Sequence, residues 1–481
     1  MIGLLPWLGG SIYQDEGTSL YSAHLSWSDL WAQSQHQDLV LLTYYALLHF
    51  WLLTSPSIEW ARIPSLLAFG AVVVLVGRLG LHIGGRWCGI IASVLAATNT
   101  LLIEKALSAR PYELSALSAT LCAAALLKWI EDGRRSRLWL FSLFGIATAL
   151  LQIFAVLAPL AMVFALLVAR PRWRAERLRA MAAPVGTMVI VTVAFFAVTI
   201  GQRGQVSWIA MLPLATRLEN ARGPAIGNLY DLGLFVAAII ALLALYHLWH
   251  RDGRAVQSVF LDRDRDPLAL SFAWAVLPTL VLVGVSVVYP VFVARYATAS
   301  SPGLALFFGL AGGRIVQLVQ GQDRTATLGR KRQPRRKGFA FVGAVILVIL
   351  SLGLSVNFWT SASTVYEDLP GLALYVAEHA QHGDVIVLHD HDLTTAVEYY
   401  LTRDGRRLPL WSEVGVQQSD PDGVDLILNP GPSYKLPRRL WIVEDGNGLT
   451  RFSQSVLDPH YTLVTTLQFT GISLWLYRYS R

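Results

Sequence analysis

Charge is scarce in this chain. Asp, Glu, Lys and Arg make up 15% of its 481 residues, against 54% hydrophobic residues, and mean hydropathy is +0.48. Soluble domains carry charge on roughly a quarter of their residues, so a molecule wetted on all sides is excluded. Cysteine is nearly absent: Cys88 and Cys122 lie in apolar runs, with no metal-ligand spacing and no obvious disulfide, and read as small core residues. A glycine-rich phosphate loop is lacking, and with it the usual signature of a nucleotide site. Internal repeats are lacking too, and few charges fall in the middle of apolar runs, where a transport path would need them. Residues 1–13 have neither a basic n-region nor a small-residue cleavage site, so they do not read as a signal peptide.

What is present is a series of apolar runs of roughly 18–22 residues, long enough to cross a bilayer as helices. The pattern predicts spans at 62–82, 87–103, 112–131, 138–152, 154–169, 184–201, 229–249, 268–288, 297–319 and 339–357. The run 138–169 is too long for one helix and divides as a hairpin near Gln152. Residues 17–37 interleave Tyr21, Leu25, Trp27, Leu30 and Trp31 with polar residues, which suits a helix lying in the interface. Residues 39–54 are short for a span and read as a partly embedded helix. The expected class is therefore an α-helical polytopic membrane protein with about ten or eleven spans.

The basic balance, +7 with a pI near 9.4, does not point to nucleic acid. It sits in alternate short loops: Arg78 and Arg86; Arg134, Arg135 and Arg137; Arg170 to Arg179; Arg251 and Arg254; and the run from Arg330 to Lys337. The positive-inside rule places these in the cytoplasm. The segments 15–60, 104–110, 202–227, 289–295 and everything after 357 then face outward, in a multi-pass protein of the plasma membrane. An outward Asp15 needs a preceding span, which 1–12 is too short to supply: either the chain begins outside without that helix or, the reading favoured here, the true start lies upstream of Met1.

After about residue 360 the pattern changes. Strands are predicted at 383–389, 424–428, 439–443, 462–467 and 472–479, with a helix at 394–401. Two domains follow: 1–358, transmembrane, with 13–61 as an outer loop bearing interfacial helices, and 359–481, an extracytoplasmic α/β domain of about 120 residues.

Three outward features carry chemistry. Asp15-Glu16 is an acid pair near a membrane surface, costly unless used. Arg110-Pro111-Tyr112 and Arg295-Tyr296 each stand where an outer turn enters a span. Guanidinium groups there suit an anionic lipid headgroup, and an Asp can take the proton of a hydroxyl that attacks a sugar carbon on that phosphate. The second acid would orient the acceptor or hold a metal ion. Plainer readings stand beside these: a solvated acid pair, arginines that snorkel to the interface, Asp38 as a helix cap, His49 as a packed interfacial histidine. His389-Asp390-His391-Asp392 resembles a metal cluster, but strand alternation divides such side chains between two faces, so it reads as a strand-end loop.

The motifs also match a family pattern. Tyr13-Gln14-Asp15-Glu16 fits an aromatic approach to Asp-Glu; Tyr44-Tyr45 through His49-Phe50-Trp51 fits an aromatic helix ending in His-Phe-Trp. Arg62-Ile63-Pro64-Ser65, Ala109-Arg110-Pro111-Tyr112, and Arg295-Tyr296 with Pro302-Gly303 follow in order. Over about residues 10–320 the chain resembles the polytopic glycosyltransferases of the C superfamily, notably bacterial members of glycosyltransferase family 39, related to protein O-mannosyltransferases and the aminoarabinose transferase.

The resemblance implies a polyprenyl-phosphate-sugar donor, mannose above all, and an inverting transfer on the extracytoplasmic side. It implies Asp15 as base and Glu16 as its partner, Arg110 and Arg295 near the donor phosphate with Tyr112 and Tyr296 beside them, and places for Asp38 and His49 in the substrate site. The acceptor is a protein, a glycolipid or a cell-wall glycan. A divalent cation, Mg or Mn, stays open, with Asp15 and Glu16 as its candidate ligands. The chain departs from the pattern in the missing first span, in Ser108 where the family has Glu (Glu104 lies one turn earlier), and in the absence of a His-Pro-Pro-Leu-Tyr-Tyr helix. A lipid or solute transporter or flippase, and a non-catalytic relative, are the alternatives.

Overall fold

The computed structural model describes residues 8–12, 14–169, 175–211, 262–319, 368–381, 384–388, 396–397, 399–400, 438–445 and 461–479. The spans expected at 229–249 and 339–357, the strand at 424–428 and the His389–Asp392 run lie outside these residues. The chain forms two compact units. One holds the described residues of Trp27–Phe50 and Arg62–Ser361, the other those of Pro6–Ser26, Trp51–Ala61 and Ala362–Arg481.

The helices run in the order α1 (Gln14–His24), α2 (Trp27–His36), α3 (Leu42–Leu52), α4 (Ile58–Gly84), α5 (Arg86–Ala97), α6 (Thr100–Ala106), α7 (Tyr112–Asp132), α8 (Arg135–Leu151), α9 (Leu157–Ala169), α10 (Ala175–Thr199), α11 (Asp262–Val288), α12 (Ser301–Val319) and α13 (Leu369–His379). Short 3-10 segments at Leu39–Leu41, Ile153–Val156, Ile200–Met211 and Ala294–Ser300 join some of them. Among the described residues, Ile58–Gly84, Tyr112–Asp132, Ala175–Gly204 and Asp266–Val288 are long and apolar enough to cross a membrane. Along α10, Ile190, Val193, Phe196 and Val198 are all exposed. Such a row is an aggregation liability in water and an ordinary surface against acyl chains.

Several sequence expectations change in detail. The segment 17–37 is two helices, α1 and α2, instead of one. The span expected at 87–103 is broken: α5 and α6 meet at a bend of 58°. The side chain of Asn99 accepts from the Leu102 amide at 3.0 Å and so starts a new helix inside the apolar run. The segment 39–54 opens as a 3-10 turn before α3, and the one at 297–319 opens as the 3-10 turn before α12. The helix expected from Pro184 starts at Ala175, since a polar stretch bearing Arg177 and Arg179 extends it. The run does break at Gln152, which is extended and whose side chain accepts from the Ala155 amide at 2.6 Å.

Small residues bring the first unit's helices together. A Cβ on Gly309 of α12 would stand 2.8 Å from the Ala92 backbone, and one on Gly313 would stand 2.6 Å from Cα of Cys88. In lipid, where no hydrophobic drive separates helix from solvent, such close backbone approach is the main source of association. On the other side of the unit α7 packs against α8 and against the turn Ala294–Ser300, and α6 touches both α7 and that turn.

The second unit is built on a four-stranded sheet, β1 (Val385–Leu388), β2 (Arg439–Asp445), β3 (Tyr461–Phe469) and β4 (Ile472–Tyr479), in the order β1-β2-β4-β3. β1 and β2 are parallel, and the remaining pairs are antiparallel. Ile472 to Tyr477 are buried without alternation, so both faces of β4 are covered. Buried Asp384 before β1 accepts from Trp441 Nε1 at 2.8 Å and lies 3.6 Å from Arg439, which ties β1 to β2. In the same unit Trp51 and Trp60 stack at 4.8 Å, and each indole donates to the other's carbonyl, closing the loop between α3 and α4.

Candidate functional site

In the second unit, Asp15 and Glu16 occupy the first turn of α1, where the helix dipole favours carboxylates. Their environments differ. Successive helical side chains point about 100° apart. Asp15 is half-buried, whereas Glu16 is fully buried. The same divergence bears on the divalent cation: neighbouring helical carboxylates do not face one ion. Among the described residues no three His, Cys, Asp or Glu converge as ligands. The acid pair does not fit a cation site, and no step is routed through one.

The first unit gathers the arginine motifs. The Ser65 hydroxyl donates to the Arg110 carbonyl at 3.2 Å, so the Arg62-Ile63-Pro64-Ser65 opening of α4 is stitched to the turn before α7. Arg110 is buried and its guanidinium lies 6.0 Å from the Tyr112 ring. Pro111, at φ −72°, is pre-set to lead into α7. Arg295 is half-buried, 6.0 Å from the Tyr296 ring, and Tyr296 in turn packs on Phe154 at 5.1 Å. The Thr298 hydroxyl donates to the Arg295 carbonyl at 2.7 Å, and the amides of Val291 and Phe292 donate to Ser286, which fixes the chain on both sides of Arg295. The Arg295 turn packs on α6 and α7, the two helices that flank Arg110 in sequence.

Asp38 adopts the left-handed conformation, φ 58°, and its side chain makes no cap contact with the following turn. It accepts instead from the Tyr45 hydroxyl at 2.9 Å. Gln202 holds this bend, accepting from the Leu39 amide and donating to the Ser34 carbonyl, each at 2.8 Å. His49 stands in an aromatic cluster, 4.5 Å from Trp27 and 6.0 Å from Phe50. Trp27 and Phe50 are exposed, the arrangement of an interfacial belt.

Two charged residues that the sequence reading passed over belong to this neighbourhood. Lys105 is buried, ion-paired with Glu104, and 5.7 Å from the Tyr112 ring. Glu113 is fully buried, neither carboxylate oxygen has a hydrogen-bond partner among the described residues, and Lys105 is the positive charge acting on it. The signal that finds them is an ionisable residue at the edge of an apolar segment.

No protein-family model and no curated protein sequence matches the chain. Solved structures share its fold. The structure is similar to ArnT from Cupriavidus metallidurans in the apo state, with a TM-score of 0.55 and 12% identity over 99% of this chain and 96% of that one. It is similar to the same protein bound to undecaprenyl phosphate, with a TM-score of 0.53 and 13% identity over 99% and 96%. At such identities the likeness establishes the fold.

Proposed function

We propose that the protein is a membrane glycosyltransferase that moves a sugar, mannose in the first instance, from a polyprenyl-phosphate donor to an acceptor hydroxyl on the extracytoplasmic side. The observation that carries this reading is the likeness, over 99% of the chain, to a protein solved with undecaprenyl phosphate bound. In this reading Asp15 takes the acceptor proton as the oxygen attacks the anomeric carbon from the face opposite the phosphate. The new C–O bond forms as the bond to the phosphate oxygen breaks, which inverts the anomeric centre. Arg110 and Arg295 stabilise the departing lipid phosphate, whose charge grows in the transition state. Tyr112 and Tyr296 hold those guanidinium groups in place, Asp38 and His49 line the substrate approach, and buried Glu16 fixes the start of α1. A protein, glycolipid or cell-wall hydroxyl is the acceptor.

The test is transfer of radiolabelled mannose from polyprenyl-phosphate-mannose to a membrane extract. The unaltered chain is expected to label an acceptor, and Asp15→Asn to lose about 10²–10⁴-fold, the worth of a general base. Equal transfer by the two proteins would sink the assignment of Asp15, and movement of intact labelled lipid without transfer would favour a flippase.

A further inference from the structure

The helix that bears the acid pair is braced by the far end of the chain. Within the second unit, the Ile12 amide donates to the Tyr400 hydroxyl at 2.9 Å, across 388 positions of sequence. Gly17 lies against Ala396: a Cβ on Gly17 would stand 2.6 Å from both Cα and Cβ of Ala396 and 2.8 Å from its nitrogen. Two of those atoms are backbone and cannot swing aside. The contacts flank Asp15, one before α1 and one in its first turn. Gly17 follows Asp15 by two residues, about 200° around the helix. The face that Gly17 presses onto Ala396 is therefore nearly opposite the one that carries Asp15. Glu16 to Leu20 are buried all the way round the helix, and Asp15 is half-buried at its start.

We infer that the C-terminal α/β domain is the positioning scaffold of Asp15. The Gly17–Ala396 contact sets the rotation of α1, the Ile12–Tyr400 bond sets its height, and together they aim the carboxylate. Gly17, Ala396 and Tyr400 are positioning residues, since they act on the reaction only through α1. The inference rests on Asp15 being the base, as proposed above.

The experiment uses the full chain and measures mannose transfer and donor KM for Gly17→Ala, Gly17→Val, Tyr400→Phe and the pair Gly17→Ala with Ala396→Gly. A misplacement near 1 Å costs on the order of 10²-fold in rate. Gly17→Val is expected to lose about that much in kcat, with Gly17→Ala and Tyr400→Phe losing less and donor KM held within about 2-fold. Alanine is a better helix former than glycine, so a loss in Gly17→Ala reports the contact and not the helix. Ala396→Gly removes one of the three close atoms and is expected to restore part of the Gly17→Ala loss. Gly17→Val at full kcat, in a chain that Asp15→Asn inactivates, overturns the scaffold alone. Equal falls in kcat and in the yield of folded protein, with no recovery in the pair, also overturn it. An unaltered chain no more active than Asp15→Asn overturns the functional reading and the scaffold role with it.

Discussion

Lys105 shows how much a single residue can carry in a low-dielectric neighbourhood. Its ammonium faces Glu104 and acts on Glu113, whose carboxylate is sealed from solvent. Removing one partner of a buried pair leaves the other charge uncompensated, at about 3–5 kcal/mol. Here the buried partner is Lys105, so Glu104→Gln is expected to cost that order, seen as a lowered unfolding midpoint in detergent. Lys105→Met should cost less, because Glu104, 37% exposed in its side chain, can relax into water. An unshifted midpoint in Glu104→Gln would show that the pair carries nothing. Asp38 poses a different problem, one of backbone. At φ 58° a β-branched residue is strained by about 1–3 kcal/mol, while Asn tolerates the conformation and can accept from Tyr45 as Asp does. Asp38→Val should destabilise by that amount and Asp38→Asn should not. If Asp38→Asn also leaves donor KM unchanged, the residue shapes the bend and does not bind substrate. Asp15, Glu16, Arg110 and Arg295 stood out in the sequence as candidates because each sits in a local motif. Lys105 and Glu113 did not, because their meaning lies in burial, which the flanking polar turn of Arg110 disguises.

At the scale of elements, the seam between α5 and α12 sorts neighbouring glycines. Gly313 would place a Cβ 2.6 Å from Cα of Cys88, but Gly312 would place one at 3.4 Å from the Ile91 side-chain tip, ordinary contact. Gly313→Ala is expected to force the helices apart at about 1–3 kcal/mol. Gly312→Ala should be neutral or stabilise by up to about 1 kcal/mol through helix propensity. Melting of the two variants side by side checks it, and equal melting would mean the seam is looser than described. Hydropathy revealed where apolar helices run but not where they break. An apolar window averages over Thr98-Asn99-Thr100, so the bend between α5 and α6 was hidden, although three polar residues in a row were its signal. Gln152 was legible because the run around it was too long for a single span. The edge of α10 was not, because a helix can continue past the membrane on polar residues such as Arg177, where an apolar count stops.

For the whole molecule, the strands of the C-terminal sheet were readable from alternation and turns, but the membership of the second unit was not. Residues 6–26 and 51–61 join it through contacts with no local signature, as the Ile12–Tyr400 bond shows. That membership makes topology testable. Thr54 and Gln381 belong to one compact unit, so whichever side of the membrane one occupies, the other shares. α4 starts just beyond Thr54 and has 27 residues, about 40 Å of helix, more than the roughly 30 Å hydrocarbon core. At its far end His82 bonds Glu131 at 2.6 Å, and Lys128 lies 3.3 Å from the same carboxylate. The last turns of α4 and α7 are thereby on one side, together with Ser136 at the start of α8. By the positive-inside rule the arginines 134, 135 and 137 predict a cytoplasmic side there. Cys88 and Cys122 are buried, which leaves a quiet background for thiol labelling. A membrane-impermeant maleimide should therefore label Thr54→Cys and Gln381→Cys in intact cells, and Ser136→Cys after permeabilisation alone. Different behaviour of Thr54→Cys and Gln381→Cys would break the second unit apart. Labelling of both solely in opened cells would turn the protein over and put Asp15 on the cytoplasmic face, where an extracytoplasmic transfer could not use it.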